Sequence, residues 1–202
     1  MTWQVVHLED ASPSPWKNGG GTTRELIAWP QENDWLWRMS AAEVTQSGPF
    51  SRFEGIERWF AVLEGDGVAL TTGGESHRLT AYSAPLRFDG DLLADCELLG
   101  GPTRDFNLMT RTGAATATMT RVQGHFRLPV NATEIIAIYS ISTGTSARFD
   151  SESISFTAHS LAWRVAVRPE VLEVDAEQAL VIRIVLADAA LGDGTNPSKE
   201  TP

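Results

Sequence analysis

Basic side chains with the potential to bind an anion are concentrated in the first 111 residues of an acidic chain. The formal net charge is −10, yet short motif-like segments carry Lys17, Arg38, Arg58 and Arg111. A guanidinium group can bind both oxygens of a carboxylate at once, and an ammonium group adds a compact positive charge. Basic groups gathered against the overall charge therefore predict a site for a small carboxylate.

The segment Pro15–Glu25 contains three consecutive glycines, Gly19–Gly21. Glycines allow a backbone to approach a ligand closely, and Lys17 and Asn18 beside them add a charge, amide donors and an acceptor. A flexible surface turn is the alternative interpretation. A nucleotide-binding P-loop is excluded, because Lys17 precedes the glycines and a strand-like run follows them.

A second segment, Gly48–Arg58, has the spacing of the first motif of a cupin barrel. That motif contains two histidines one residue apart, a glutamate about five residues later and then a glycine. On this chain those positions fall on Ser51, Phe53, Arg58 and Gly65. Serine and phenylalanine replace imidazole ligands and an arginine replaces the carboxylate, so this spacing predicts a pocket without a metal or other cofactor.

The histidines of the chain do not form a metal-binding motif. They are distant in sequence and include no His-x-His pair, although folding could still bring two of them together: His7, His77, His125 and His159. Each one is interpreted as a surface residue or a hydrogen-bonded core residue.

A third polar segment is Asp105-Phe106-Asn107. In an extended chain Asp105 and Asn107 project to one face and Phe106 to the other, which suits a polar cavity with an apolar anchor behind it. Two alternatives stay open: a turn built on the Asp and Asn side chains, or a buried ion pair between Asp105 and Arg58.

Strand patterns dominate the rest of the sequence. In Leu36–Ala42, for example, Trp37, Met39 and Ala41 alternate with Arg38 and Ser40. No segment shows an amphipathic helical stripe over three turns. Strand-like runs are predicted at 36–42, 58–64, 68–70, 76–79, 95–99, 117–123, 134–141, 153–158, 161–167 and 179–186. Short strands separated by Gly, Pro, Asn and Ser predict an all-β sandwich or barrel, with a first half at 1–112, a second at 113–188 and a disordered tail at 189–202.

Composition excludes several classes of function. A pI near 4.8 and the lack of a basic stripe argue against nucleic-acid binding. No apolar run approaches the roughly 20 residues of a membrane span, and the N-terminus lacks signal-peptide features, so a cytoplasmic protein is expected. The lone cysteine, Cys96, rules out an intrachain disulfide and is predicted to be a small buried apolar residue.

Taken together, the motif segments resemble the HutD/Ves family. The resemblance rests on Pro15–Gly21 with Thr23 and Glu25, Trp37-Arg38-x-Ser40, Gly48–Arg58, and Gly100-Gly101 followed by Asp105–Arg111. It implies a bicupin with two β-barrel domains, a setting in bacterial histidine utilisation, and a small-ligand or regulatory role. The second half of the chain matches only in length and β character.

The leading hypothesis is a non-enzymatic, regulatory binding protein for an anionic metabolite of histidine breakdown, such as formylglutamate or formate. Its predicted ligand-binding residues are Lys17, Asn18, Arg38, Ser40, Ser51, Arg58, Asp105 and Asn107. A metal-independent isomerase or hydrolase is the alternative, with Glu25, Asp105 and Lys17 as acid and base. A third possibility is a subunit-contact protein, and a homodimer is compatible with each of the three.

Overall fold

The computed structural model describes residues 2–149 and 152–187, and β-strands account for most of them. The predicted all-β class is confirmed: a short 3₁₀ turn at Leu8–Asp10 is the one helical element among the described residues. No helix in this part of the chain is long and apolar enough to cross a membrane. The predicted disordered tail at 189–202 lies outside the described residues.

The strands follow one another along the whole described chain. Those of the first half and the N-terminal strand are β1 (Gln4–His7), β2 (Pro13–Pro15), β3 (Gly21–Trp29), β4 (Trp37–Val44), β5 (Gly48–Phe50), β6 (Ile56–Glu64), β7 (Val68–Thr72), β8 (Glu75–Leu79), β9 (Leu86–Asp89), β10 (Ala94–Leu98) and β11 (Thr103–Arg111). Those that follow are β12 (Ala115–Val130), β13 (Ile135–Ser140), β14 (Ser146–Phe149), β15 (Glu152–Ser155), β16 (Ser160–Val165) and β17 (Glu170–Leu186).

The first half consists of two sheets that face each other. One has six strands in the order β2-β3-β4-β11-β6-β9, and the other has four in the order β5-β10-β7-β8. Buried side chains of β6 and β7, such as Phe60, Val62 and Leu70, meet Cys96 of β10 in the core between them. The cysteine is fully buried, as predicted.

The second half is a seven-stranded sheet that curls into a half-barrel. Its order is β1-β16-β13-β17-β14-β15, and the long strand β12 pairs along β17. A bulge at Gly124, whose φ is 78°, interrupts the register of β12 and allows so long a strand to bend. The N-terminal strand β1 pairs with β16 of this sheet, which the predicted division at residue 112 does not anticipate; that division stays a prediction.

The two halves pack through a shared apolar core. On β11, Phe106 and Leu108 point into it, and on β13 Ala137 and Tyr139 meet them from the other side. The rings of Phe106 and Tyr139 lie 4.9 Å apart between centroids. Side-chain alternation explains the arrangement, because successive residues of a strand face opposite sides: one face of the six-stranded sheet packs on the second half, and the other lines the interior of the first.

Two glycine turns behave differently from each other. Gly73 and Gly74, with φ of 60° and 84°, close a two-residue hairpin between β7 and β8. The sequence Gly65-Asp66-Gly67 is also typical of a tight hairpin turn, but it does not join β6 and β7 as a hairpin. β6 pairs with β11 and β9, whereas β7 pairs with β10 and β8, so the turn carries the chain from one sheet to the other.

The shared core gives a test of how the two halves depend on each other. Truncation of the fully buried Phe106 in F106A is expected to lower the free energy of unfolding by about 3–5 kcal/mol, because it leaves a cavity between the six-stranded sheet and the seven-stranded sheet. Urea denaturation measures the change. The control L93A removes a side chain that is 76% exposed and should change stability by less than about 0.5 kcal/mol. A loss of under about 1 kcal/mol in F106A would contradict this account of the core.

Candidate functional site

The first half encloses a cavity of about 470 Å³ at one end of its two facing sheets. Its wall is formed by β3, β4, β6 and β11, and its rim by the Pro15–Asn18 loop and the segment from Pro49 to Phe53. It is lined by Pro15, Trp16, Lys17, Asn18, Thr23, Arg38, Ser40, Ala42, Val44, Pro49, Phe50, Ser51, Phe53, Arg58, Phe60, Asn107 and Met109.

All but one of the predicted ligand-binding residues line this cavity. They come from separate segments that strand pairing brings together: β4 pairs with β11 so that Ser40 is opposite Asn107, and β6 pairs with β11 so that Arg58 is opposite Met109. The residues concerned are Lys17, Asn18, Arg38, Ser40, Ser51, Arg58 and Asn107. Whether they bind a ligand stays a prediction.

Arg58 is the innermost charge of the cavity and is only 4% exposed. Its Nη2 donates to Oδ1 of Asn107 at 3.1 Å, its Nη1 donates to the carbonyl oxygen of Ser51 at 3.2 Å, and its Nε is buried without a partner. Burial, reinforced by the nearby positive charge of Arg38, lowers the pKa of Arg58 to about 10. It therefore remains a cation at neutral pH, held by neutral groups alone.

Aromatic rings surround the Arg58 guanidinium. Its central carbon lies 4.9 Å from the ring centre of Phe88, 5.4 Å from that of Phe53 and 5.5 Å from that of Phe50. The negative faces of such rings attract a cation, and the attraction is stronger where water is excluded. This cage offsets part of the cost of burying the charge and fixes the position of the guanidinium.

Arg38, on the neighbouring strand β4, lies at the edge of the same cavity and has a carboxylate partner. Its Nη1 is 3.5 Å from Oε2 of Glu25 on β3, and its Nη2 is 3.3 Å from the sulfur of Met109. Burial lowers its pKa while Glu25 opposes the shift. The guanidinium also lies 5.1 Å from the Trp35 ring and 5.7 Å from the Phe53 ring, so Phe53 neighbours both arginines.

The glycine-rich segment forms the mouth of the cavity. The Trp16 indole donates to the Thr23 hydroxyl at 2.8 Å and meets the Phe50 ring edge-on at 6.0 Å. A Cβ at Gly21 would lie 2.3 Å from the carbonyl oxygen of Glu43, so only glycine lets this loop pack so closely on β4. Lys17 is exposed at the rim and forms no ion pair with the described residues.

Asp105 is placed differently from the other predicted residues. It faces the interior of the first half but is fully buried and does not line the cavity. Its Oδ2 accepts a hydrogen bond from the Thr103 hydroxyl at 2.9 Å, and its Oδ1 is buried without a partner. The alternative pairing of Asp105 with Arg58 does not form, since Arg58 contacts Asn107 and Ser51 instead. A ligand-binding role for Asp105 therefore stays a prediction without a contact to support it.

Arg111 also lies apart from the cavity. Its guanidinium donates to Asp34 at 3.1 Å and to the Trp35 carbonyl. The basic groups that line the cavity are thus Lys17, Arg38 and Arg58.

The residues at the cupin metal-ligand positions do not fit a metal ion. Ser51 and Phe53 offer no imidazole, and Arg58, which takes the carboxylate position of the motif by spacing, offers only a cationic guanidinium. Within residues 2–149 and 152–187, no group of three or more His, Cys, Asp or Glu side chains is arranged to hold a metal. The donor set of this cavity matches an anion instead.

The apolar part of the wall was missed by the sequence analysis. Trp16, Phe50, Phe60 and Met109 all line the cavity, but none was predicted to do so. A signal was available for Met109, because it lies two residues beyond Asn107 on an alternating strand. Trp16 and Phe50 lie in loop-like segments whose alternation cannot show which way a side chain points.

The architecture is that of a cupin-like protein. A formate complex of oxalate decarboxylase from Lactobacillus farciminis superposes with a TM-score of 0.62 over 89% of this chain and 85% of that one. The two share only 8% identity, so this likeness concerns the fold alone. A crystal structure of HutD from Pseudomonas fluorescens SBW25, in a formate condition, is closer, with a TM-score of 0.80, 28% identity, and coverage of 92% of this chain and all of that one.

Sequence comparison gives the family. The HutD family model matches residues 8–182, and the chain therefore belongs to the HutD family. A Pseudomonas putida protein described as an uncharacterized 21.2 kDa protein in the hutC 3′ region is 36% identical over 135 residues, which is 66% of this chain and 71% of that protein. Protein Ves of Escherichia fergusonii is 38% identical over 105 residues, covering 50% of this chain and 54% of Ves.

The buried carboxyl of Asp105 predicts a pH dependence of stability. Burial raises its pKa to about 7, although the hydrogen bond from Thr103 opposes the shift; in an unfolded chain the pKa is about 4. The folded state therefore binds this proton more tightly, and the free energy of unfolding falls as the pH rises from about 4 to about 7. The decrease in the free energy of unfolding is about 1.4 kcal/mol per unit of pKa shift. D105N keeps an acceptor for Thr103 but cannot ionise, so this decrease should disappear in the variant.

Urea denaturation across this pH range measures the effect. The control D95N removes an exposed carboxylate from β10 and should leave the pH dependence as in the parent protein. A D105N variant with an unchanged pH dependence would show that Asp105 is not the group responsible.

Proposed function

We propose that this protein binds a small carboxylate-bearing metabolite in the Arg58 cavity without a metal, as a regulatory rather than a catalytic component of histidine utilisation. One observation carries the proposal: Arg58 is a buried cation whose contacts are all neutral. Burying a charge is costly unless an opposite charge accompanies it. A carboxylate entering from the rim would supply that charge.

A second buried arginine provides a comparison within the same chain. Arg164 on β16 is also 4% exposed, and its guanidinium lies over the rings of Phe149 and Trp3 at 4.6 and 5.7 Å. It differs in having carboxylate partners, Glu152 at 2.8 Å and Glu170 at 3.9 Å. In the second half, glutamates of the same chain therefore balance the charge of the buried arginine. Arg58 lies beside a cavity and has no such partner among the described residues.

The groups around Arg58 suit a carboxylate. Asn107 uses its oxygen to accept from Arg58, which leaves its NH₂ group as a donor. Ser40 and Ser51 line the same wall and bring hydroxyl groups. Charge-assisted hydrogen bonds from such donors are about twice as strong as neutral ones, and Lys17 at the rim would attract an anion to the mouth.

Formylglutamate and formate are the ligands we propose to test first. The family resemblance suggests products of histidine breakdown, and two relatives carry names that point to the same setting: HutD, and a protein of the hutC 3′ region. A cavity of about 470 Å³ is within the range of small-molecule sites and large for formate alone. A cytoplasmic location and a second cupin barrel in the curled half belong to the same proposal.

The contacts in the cavity favour binding over turnover. An enzyme would need a positioned acid or base, and the sequence offered Glu25, Asp105 and Lys17 for that role. Glu25 is paired with Arg38, and Asp105 lies behind the cavity wall. Lys17 alone lines the cavity, at its exposed rim.

Isothermal titration calorimetry with formylglutamate and with formate tests the proposal. R58Q removes the inner charge but keeps a hydrogen-bond donor, and loss of a charge-assisted contact of about 1.5–3 kcal/mol should weaken binding by about 10- to 150-fold. R87Q is the matched control, because Arg87 on β9 is exposed and pairs with Glu57 outside the cavity. Its affinity should equal that of the parent protein.

Three results would contradict the proposal. The first is that neither compound binds the parent protein, and the second is that R58Q and R87Q bind equally well. Conversion of formylglutamate, followed by proton NMR, would replace the regulatory function with an enzymatic one.

A further inference from the structure

A second cleft lies on the opposite face of the strands that build the Arg58 cavity. It has a volume of about 440 Å³ and is lined by His7, Leu8, Glu9, Arg24, Glu43, Arg104, Thr157, Ala158 and His159. Alternation along three strands produces the two sites. Thr23, Ala42 and Asn107 face the first cavity, whereas Arg24, Glu43 and Arg104 of the same strands face the second cleft.

This cleft lies where the two halves of the molecule meet. His7 ends β1, and Thr157–His159 precede β16 in the second sheet, while the remaining wall belongs to the first half. The halves are joined there by a contact of 3.0 Å between Nε2 of His159 and Oε1 of Glu64. A hydrogen bond of 2.9 Å from the Leu8 amide to the His159 carbonyl adds to it.

Part of the charge in the cleft is already neutralised. Arg104 donates to Glu43 and to Glu64, each at 3.1 Å, so this arginine has a carboxylate on either side. Arg104 and Glu43, which line the cleft, therefore need no ligand to balance their charges.

Two charges of opposite sign remain. The guanidinium of Arg24 contacts the carbonyl oxygen of Ala11 and has no carboxylate partner among the described residues. Glu9 is exposed and has no cationic partner in the same part of the chain. A cleft that presents one unpaired positive and one unpaired negative group is complementary to a molecule that carries both charges.

The backbone at the wall of the cleft supports a functional role. His159 has a φ of 55°, in the left-handed region that non-glycine residues rarely occupy. Its Nδ1 is buried without a hydrogen-bond partner. Strained residues of this kind concentrate at ligand-binding sites. A glycine would adopt this backbone conformation without strain, but the chain has a histidine at this position.

We propose that this cleft binds a free α-amino acid, with its carboxylate on Arg24 and its ammonium group on Glu9. The imidazoles of His7 and His159 and the Thr157 hydroxyl line the remaining wall and would meet the side chain. The site is separate from the Arg58 cavity and does not depend on its proposed ligand.

Calorimetric titration of the full chain with each coded L-amino acid tests the site. At least one is expected to bind, and its N-acetyl and amide derivatives, each lacking one of the two charges, should bind at least tenfold more weakly. R24Q and E9Q should each weaken binding of the parent amino acid by a similar factor. E43Q is unsuitable as a control because it breaks a contact of Arg104. E54Q is the control instead, because Glu54 is an exposed acidic residue near the rim of the other cavity.

The variants distinguish this proposal from the first one. R58Q should weaken carboxylate binding and leave amino-acid affinity unchanged, while R24Q should weaken amino-acid binding and leave carboxylate affinity unchanged. Thermal melting confirms that each variant is folded. The proposal is overturned if no amino acid binds, if both derivatives bind as well as the amino acid, or if R58Q rather than R24Q removes the binding. The last outcome would place the amino acid in the Arg58 cavity.

Discussion

The burial of the Arg58 guanidinium, with no carboxylate beside it in the described part of the chain, is the constraint on which the first half of this structure depends. Arg58 lies on β6 and is buried in the wall of the cavity, where a charge is costly. Its surroundings reduce that cost in small steps. Three aromatic rings, the Ser51 carbonyl and the Asn107 amide each contribute. None of them cancels the charge, so the cavity keeps a positive potential that an acidic protein would not otherwise present to a small anion.

Strand alternation makes this site inseparable from the stability of the molecule. On β11, Asn107 faces the Arg58 cavity while Phe106 and Leu108 form the core between the halves. On β4 the same holds for Ser40 beside Met39 and Ala41. A shift of one residue in the register of either strand would exchange core and cavity positions. The apolar packing between the halves therefore fixes the register, and the register places the polar groups around Arg58.

Local patterns predicted much of this arrangement. The alternation in Leu36–Ala42 correctly separated Trp37 from Arg38, and all but one of the residues predicted to form a polar site line a single cavity. Features that depend on pairing between strands far apart in sequence could not be predicted. β1 joins the second sheet, 153 or more residues away along the chain, and the turn at Gly65–Gly67 changes sheets. The depth of Asp105 depends on how far along β11 the cavity extends, which spacing does not reveal.

The two buried arginines that lie among aromatic rings, Arg58 and Arg164, show why the fold by itself does not determine which molecule a cavity can bind. Arg58 and Arg164 lie in different halves, with similar burial and similar aromatic neighbours. In one half Glu152 and Glu170 neutralise the charge, and the result is a structural ion pair. In the other half neutral groups hold the arginine and a cavity adjoins it. On the cupin spacing, serine and phenylalanine take the imidazole positions and a guanidinium takes the carboxylate position. A guanidinium repels a cation but can bind both oxygens of a carboxylate.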